Sequence, residues 1–353
     1  MVKDFNILNQ KISSNSNPFV IAEIGVNHNG NLNLAKKLIN IAKLSKAHCV
    51  KFQTFNPKNL VSANAKKAPY QIINTKKKQE SQFDMLEKLK LSYLDHQKLI
   101  KYCKKKKIIF LSTPYNFEDV DMLDSLNVSA FKLASMHLSE LSFIEYVAKR
   151  KKPIILSTGM GNMQQVKEAI KILKKYLNKK FILMQCTTDY PAKDIDANLN
   201  VITEFKKHFN CHIGYSDHTM SNVSAISAVT LGAVAIEKHI TTNKKLPGPD
   251  HKCSLNPKEF SLYVQDLNIA KTCLGSPFKQ PSLNEKKNAK FMKRSIYSKK
   301  FIHQGQKIQL SDLEFKRPAN GIPTCKANLV IGKLAKTKIP SNILLKKNFI
   351  KFR

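Results

Sequence analysis

The segment HIGYSDHTMSNVSAISAVTLGAVAIEKH, residues 212–239, contains one complete structural repeat. It opens on an apolar run, His212 to Ser216, passes through an Ala-rich helical stretch after Asn222, and closes on a second apolar run, Ala233 to Glu237. Strand, helix and strand in this order imply two parallel neighbours. Both runs end in polar residues, Ser216-Asp217-His218 and Glu237-Lys238-His239.

Working outward, the same unit recurs. Strand-like runs begin at Phe19, Cys49, Ile108, Ala130, Pro153 and Phe181, which with the two above makes eight. Amphipathic patterns lie between them, such as Leu34-Ala35-x-x-Leu38-Ile39-x-x-Ala42 and Val166-x-x-Ala169-Ile170-x-x-Leu173. Eight strand and helix units over about 250 residues fit a closed (β/α)₈ TIM barrel better than an open doubly wound sheet. No G-x-G-x-x-G follows the first strand. The expected organisation is an N-terminal extension over 1–17, a barrel over 18–280 whose last helix ends near Gly275, a polar linker over 281–289, and a small coil-rich β domain over 290–353. Residues Pro57 to Leu91, polar and lysine-rich, read as an extended loop over the barrel mouth.

Sixty Lys+Arg against 25 Asp+Glu give a formal charge of +35. The lysines are spread along the whole chain, with no Trp and no Arg-rich or aromatic-interleaved stripe, so solvated helix faces account for them better than specific nucleic-acid recognition. No unbroken apolar stretch suits a membrane span or a secretory signal. Seven cysteines without a C-x-x-C pair read as reduced thiols, and the chain reads as cytoplasmic.

In such a barrel the chemistry sits where strands end. His218 and His239 lie 21 residues apart, one full repeat, and so end adjacent strands. Barrel closure brings Glu23 of the first strand beside the eighth. Two imidazoles and a carboxylate with open positions suit a divalent metal such as Mn²⁺, with Mg²⁺ or Co²⁺ as substitutes. The plainer reading is that each His satisfies local polar groups. Lys51 and Lys132 end the second and fourth strands among Thr113, Ser135 and Ser157, an arrangement for a small phosphate or carboxylate. A Schiff-base lysine and a structural ion pair with Glu23 or Glu237 are the alternatives.

The strings I-A-E-I-G-V-N-H-N-G (21–30), V-K-F-Q-T-F (50–55), F-K-L-A-S (131–135), I-L-S-T-G-M (155–160), C-T-T-D-Y-P (186–191), G-Y-S-D-H-T (214–219), I-E-K-H-I-T (236–241), P-G-P-D-H-K-C-S-L (247–255) and K-R-P-A-N-G-I (316–322) together resemble the N-acetylneuraminate (sialic acid) synthase family. The C-terminal part is similar to the antifreeze-like (SAF) domain of these enzymes, which caps the barrel of a partner subunit in a domain-swapped homodimer. The resemblance implies condensation of phosphoenolpyruvate with an N-acetylmannosamine-type sugar. It implies that His218 and His239 hold the metal, and that Lys51, Thr113, Lys132, Ser135, Ser157 and Ser216 bind phosphoenolpyruvate. Glu23, Gln53, Thr188, Tyr190, Glu237, Asp250 and the partner-supplied Arg317 would surround the sugar and the attacking water, with Glu23 and Asp250 among the catalytic groups. Thr188 stands where neuraminate synthases have Asn, and C-T-T-D-Y-P looks closer to the legionaminic acid synthases, whose acceptor is a 2,4-diacetamido-6-deoxy sugar. The P-G-P-D-H-K string argues against a pseudaminic acid synthase.

Overall fold

The computed structural model describes residues 2–351. A short antiparallel hairpin, β1 (Phe5–Ile7) and β2 (Gln10–Ile12), comes first. Eight parallel strands follow: β3 (Phe19–Gly25), β4 (Cys49–Thr54), β5 (Ile109–Pro114), β6 (Phe131–Leu133), β7 (Ile154–Ser157), β8 (Phe181–Cys186), β9 (His212–Asp217) and β10 (Ala235–His239). Their order in the sheet is β5-β4-β3-β10-β9-β8-β7-β6, and β5 lies against β6. This is the expected eightfold repeat, with each strand displaced by at most two residues from its expected start.

The strands are buried on both faces, as parallel strands covered by helices are, which explains their near-continuous apolar sequence. Outward residues such as Val20, Ala22 and Ile24 pack with helix residues Leu38, Leu99, Leu173 and Leu267. Inward residues Ile21, Ile109, Leu111, Ile155 and Ile182 form a second cluster with Phe5, Ile7 and Ile12 of the hairpin. The N-terminal extension therefore plugs the barrel at the ends where the strands begin. Its strands are only three residues each, too short for alternation to stand out, yet Phe5 and Ile7 point inward and Asn6 outward. Ile7 is fully buried. Ile7→Ala should cost about 3 kcal/mol by leaving a cavity, measurable by denaturant unfolding.

Two expectations need correction. Residues 57–91 are not an extended loop but three short helices, Pro57–Leu60, Pro69–Thr75 and Gln82–Glu87. They are held by Met85, Leu86 and Leu89 packed on Val26 and Phe55, and by buried Lys67 bonded to Glu80 and Thr75, each at 3.0 Å. The span read as a linker, 281–289, lies largely in the helix Leu283–Met292, which starts from a capping box of Ser282 and Glu285. Contacts divide the chain after Gly275, the left-handed residue that ends the helix Pro257–Leu274.

The second unit, from Ser276, contains two antiparallel pairs, β11 (Ser295–Ser298) with β12 (Leu313–Lys316) and β13 (Leu334–Ala335) with β14 (Ile350–Lys351). Its own core gathers Ile296, Ile302, Ile308, Ile339 and Leu345. Among the described residues no helix is long and apolar enough to cross a membrane, and all seven cysteines are free, five of them buried.

Candidate active site

The ends of all eight parallel strands line one pocket of about 250 Å³. Glu23 comes from β3, Lys51 and Gln53 from β4, Thr113 from β5, Lys132 from β6, Ser157 from β7, Ser216 from β9, and Glu237 and His239 from β10. Ser135, Thr188, Tyr190 and His218 join them from the turns that follow. Asp250 lines an adjoining cavity. Arg317 lies exposed in the second unit.

The lysines sit in a charge network. Lys51 Nζ lies 2.8 Å from Glu23 Oε2 and 3.7 Å from Glu237 Oε1, and donates to Thr113 Oγ1 at 3.1 Å. Lys132 Nζ donates to Ser157 Oγ at 2.7 Å and lies 3.7 Å from Glu237 Oε1. Internal ion pairing, one of the alternatives weighed above, is thus present, tight at Glu23 and loose at Glu237. Burial pushes the Glu23 carboxyl up to about 7, against the Lys51 ammonium beside it. Burial acts on Glu237 too, but Lys132 and Lys51 hold its carboxyl below the ordinary range. Desolvation pulls on both amines. It leaves Lys132 below its ordinary value, whereas Glu23 and Glu237 hold Lys51 above. Two carboxyls pushed in opposite directions in one pocket are equipped for different tasks.

Gly25 fits Glu23 into place. Its φ is +53°, and a Cβ there would stand 3.0 Å from Glu23 Oε1 and 3.2 Å from Gln53 Nε2. Gln53 Nε2 itself donates to Glu23 Oε1 at 3.2 Å. A side chain at position 25 would be strained in its backbone and would displace the carboxyl.

The two histidines end adjacent strands as expected, with ring centroids 5.5 Å apart. His218 Nδ1 is hydrogen-bonded to the Thr187 carbonyl at 2.7 Å; burial pulls the ring's value down, yet Cys186 beside it holds it above the ordinary imidazole value. Burial holds His239 well below its ordinary value, so it stays neutral, and its buried Nδ1 has no hydrogen-bond partner among the described residues. Asp250 Oδ2 lies 3.8 Å from that nitrogen, and burial pushes the Asp250 carboxyl up to about 6. No group of three or more His, Cys, Asp or Glu has metal-binding geometry among the described residues. The two imidazoles would offer a divalent ion only a partial donor set, with the remaining positions left to water or substrate.

Two motifs interlock to hold Asp250. Asn27 Nδ2 donates to the Ile240 carbonyl at 2.9 Å and to Ser254 Oγ at 2.8 Å, and Ser254 Oγ donates to the Asp250 carbonyl at 2.5 Å. Asn29 Nδ2 donates to the Pro247 carbonyl at 2.9 Å. Residues 27–29 thus serve the loop that carries Asp250.

Sequence reading missed Tyr70, Tyr115 and Cys186, which also line the pocket. Tyr115 directly follows Ser112-Thr113-Pro114, so strand-end logic extended by one residue would have found it. Tyr70 gave no such signal, because it reaches the site on a short helix inside the lysine-rich segment. Its ring lies 5.0 Å from that of Tyr190, which in turn stacks 4.2 Å from His218.

Residues 38–279 match the NeuB family, and residues 293–351 match the SAF domain. The chain is 44% identical to the N,N'-diacetyllegionaminic acid synthase of Campylobacter jejuni over 90% of its length and 95% of that protein's. It is 40% identical to the enzyme of the same name from Legionella pneumophila, over 89% of each chain. The crystal structure of N-acetylneuraminic acid (sialic acid) synthetase from Leptospira borgpetersenii, in complex with citrate, superposes with a TM-score of 0.73 at 31% identity, over 82% of this chain and 95% of that one. With a closed eight-stranded barrel, a matching C-terminal domain and this degree of identity, the chain belongs to the NeuB family.

Proposed function

We propose that this protein condenses phosphoenolpyruvate with 2,4-diacetamido-2,4,6-trideoxymannose to give N,N'-diacetyllegionaminate and phosphate. The observation that carries the reading is the single pocket in which two buried lysines, a set of hydroxyls, two imidazoles and two oppositely shifted carboxyls converge. The two named synthases to which the chain is similar support the choice of acceptor.

The carboxylate and phosphate of phosphoenolpyruvate would be held by Lys51 and Lys132 with Thr113, Ser135, Ser157 and Ser216, which supply charge and hydroxyl donors where water is largely excluded. C3 then attacks the aldehyde carbon of the open-chain sugar. A divalent ion on His218 and His239, Mn²⁺ by preference, would supply Lewis-acid polarisation of the aldehyde oxygen. Water adds at the former enol carbon, and loss of phosphate from the tetrahedral intermediate leaves the nine-carbon 2-keto acid. Glu23, ionised above about pH 7, would orient or deprotonate that water. Gln53, Thr188, Tyr190, Glu237 and Asp250 would hold the sugar's polar groups.

The turns after β6 to β9 expose Met136, Met160, Ile195 and Met220 around the mouth, an apolar rim suited to a cover. In our reading the SAF domain of a second copy supplies it and brings Arg317 to the sugar. Free thiols and a phosphoenolpyruvate substrate support, in our reading, a cytoplasmic enzyme.

Phosphate release, with products identified by mass spectrometry, tests the acceptor across a panel of amino sugars. The diacetamido sugar should give the highest kcat/KM. Thr188→Asn should narrow its lead over N-acetylmannosamine. An equal or higher value for N-acetylmannosamine in the wild type would overturn the choice of acceptor. Because a general base must be ionised, kcat/KM should rise with pH and level off above about 7. A profile that is flat between pH 5.5 and 8.5 would remove Glu23 from this role.

Lys51→Met and Lys132→Met should chiefly weaken phosphoenolpyruvate binding, read by titration calorimetry, since each removes a buried cation. Unchanged affinity in both would contradict the anion site. A second reading has one observation in its favour: burial lowers the Lys132 amine, as a Schiff-base lysine requires. Borohydride trapping with pyruvate would leave an adduct on Lys132 under that reading, and none under ours.

A further inference from the structure

Beside the charged pocket lies a second cavity of about 340 Å³ with a different lining. The two share Gln53, Tyr70, Tyr115, Met136, Tyr190 and His239 as walls, so they are compartments of one space. The far compartment carries an apolar cluster that includes Val26, Phe55, Val61 and Met85, beside the polar side chains of Gln71 and Gln82. Met85 and Leu86 come from the segment 57–91, whose short helices close this side. Neither the lysines nor the hydroxyls that would hold phosphoenolpyruvate line this compartment.

We infer that this second compartment receives the C4 to C6 end of the acceptor, with the C6 methyl and the C4 acetamido methyl packed against Val61 and Met85. This rests on the function proposed above and deepens it. The aldehyde end must lie with His218 and His239 for C–C bond formation, and His239 lines both compartments, so the distal carbons extend from there into the apolar side. Phosphoenolpyruvate carries two anionic groups and has no use for such a lining. A methyl placed on the cluster of Val26, Phe55, Val61 and Met85 gains from burial there, where a hydroxymethyl gains less. Asp250, buried on the shared side, remains available to a hydroxyl between the two ends. The segment 57–91 thereby acts as the specificity wall of the site.

Three sugars separate the contributions: N-acetylmannosamine, its 6-deoxy analogue, and 2,4-diacetamido-2,4,6-trideoxymannose. In the wild type each added apolar group should raise kcat/KM by roughly 10-fold or more, the scale on which a hydrophobic pocket reads a methyl. Val61→Thr and Met85→Gln keep side-chain volume but insert polar atoms. In each, the ratio of kcat/KM for the trideoxy sugar over N-acetylmannosamine should fall roughly 3- to 10-fold, with KM for phosphoenolpyruvate unmoved. Val61 is only half-buried, so its variant decides the matter if Met85→Gln fails to fold. Ratios that are equal in the wild type and in a folded variant, with turnover intact, overturn the compartment's role and leave the proposed function standing. Absence of phosphate release with every sugar overturns the proposed function, and this assignment with it.

Discussion

His218→Ala and His239→Ala should each lose turnover by at least ~10²-fold, the scale of removing one electrostatic stabiliser, and the wild type treated with a chelator should fall to the same level. Manganese should restore the treated wild type and do little for the variants. His218 has Nδ1 bound to the Thr187 carbonyl, and His239, kept neutral by burial, would offer a ring nitrogen to an ion. Among the described residues neither ring has a carboxylate within hydrogen-bonding distance, and Asp250 Oδ2 lies 3.8 Å from His239 Nδ1. Truncating either ring leaves one protein ligand. Calorimetric titration with Mn²⁺ gives a readout independent of turnover: the wild type should bind and both variants should bind far more weakly. Full activity of either variant in chelated buffer would remove the metal from the account.

The second large effect is at Arg317. Arg317→Ala should fold normally, because the side chain is exposed, and should be nearly inactive if the guanidinium completes a partner's site. Mixed with His218→Ala, it should recover activity. Random exchange makes half of the dimers mixed, and one of the two sites in each then carries both intact contributions, so recovery approaches roughly a quarter of the wild-type rate. Native mass spectrometry confirms the exchange. Verified heterodimers with no activity above the separate variants would show that the site is not shared between subunits.

The barrel was legible because eight apolar runs, alternating with amphipathic stretches, each ended in polar residues. Lys51 with Gln53, and Glu237 with His239, could be placed inward from the two-residue period, and the structure brings all four into one pocket. The pairing of His239 with Glu23 across the closure, visible in the β10 to β3 register, followed from counting strands. What escaped reading was local structure below the length at which periodicity speaks. The hairpin of three-residue strands and the helices of 57–91 depend on tertiary packing, through Ile7 in the barrel floor and Met85 against Val26, rather than on pattern. Tyr70 was hidden for the same reason, and with it the wall shared by the two compartments.

In the proposed reaction phosphoenolpyruvate is joined to an amino sugar by C–C bond formation with cleavage of its C–O bond. The most direct measurement follows ¹⁸O placed in the bridging oxygen of phosphoenolpyruvate during turnover with 2,4-diacetamido-2,4,6-trideoxymannose. The account predicts that the released phosphate carries the label and that one nine-carbon 2-keto acid forms for each phosphate. Unlabelled phosphate, or phosphate released without that product, would contradict it.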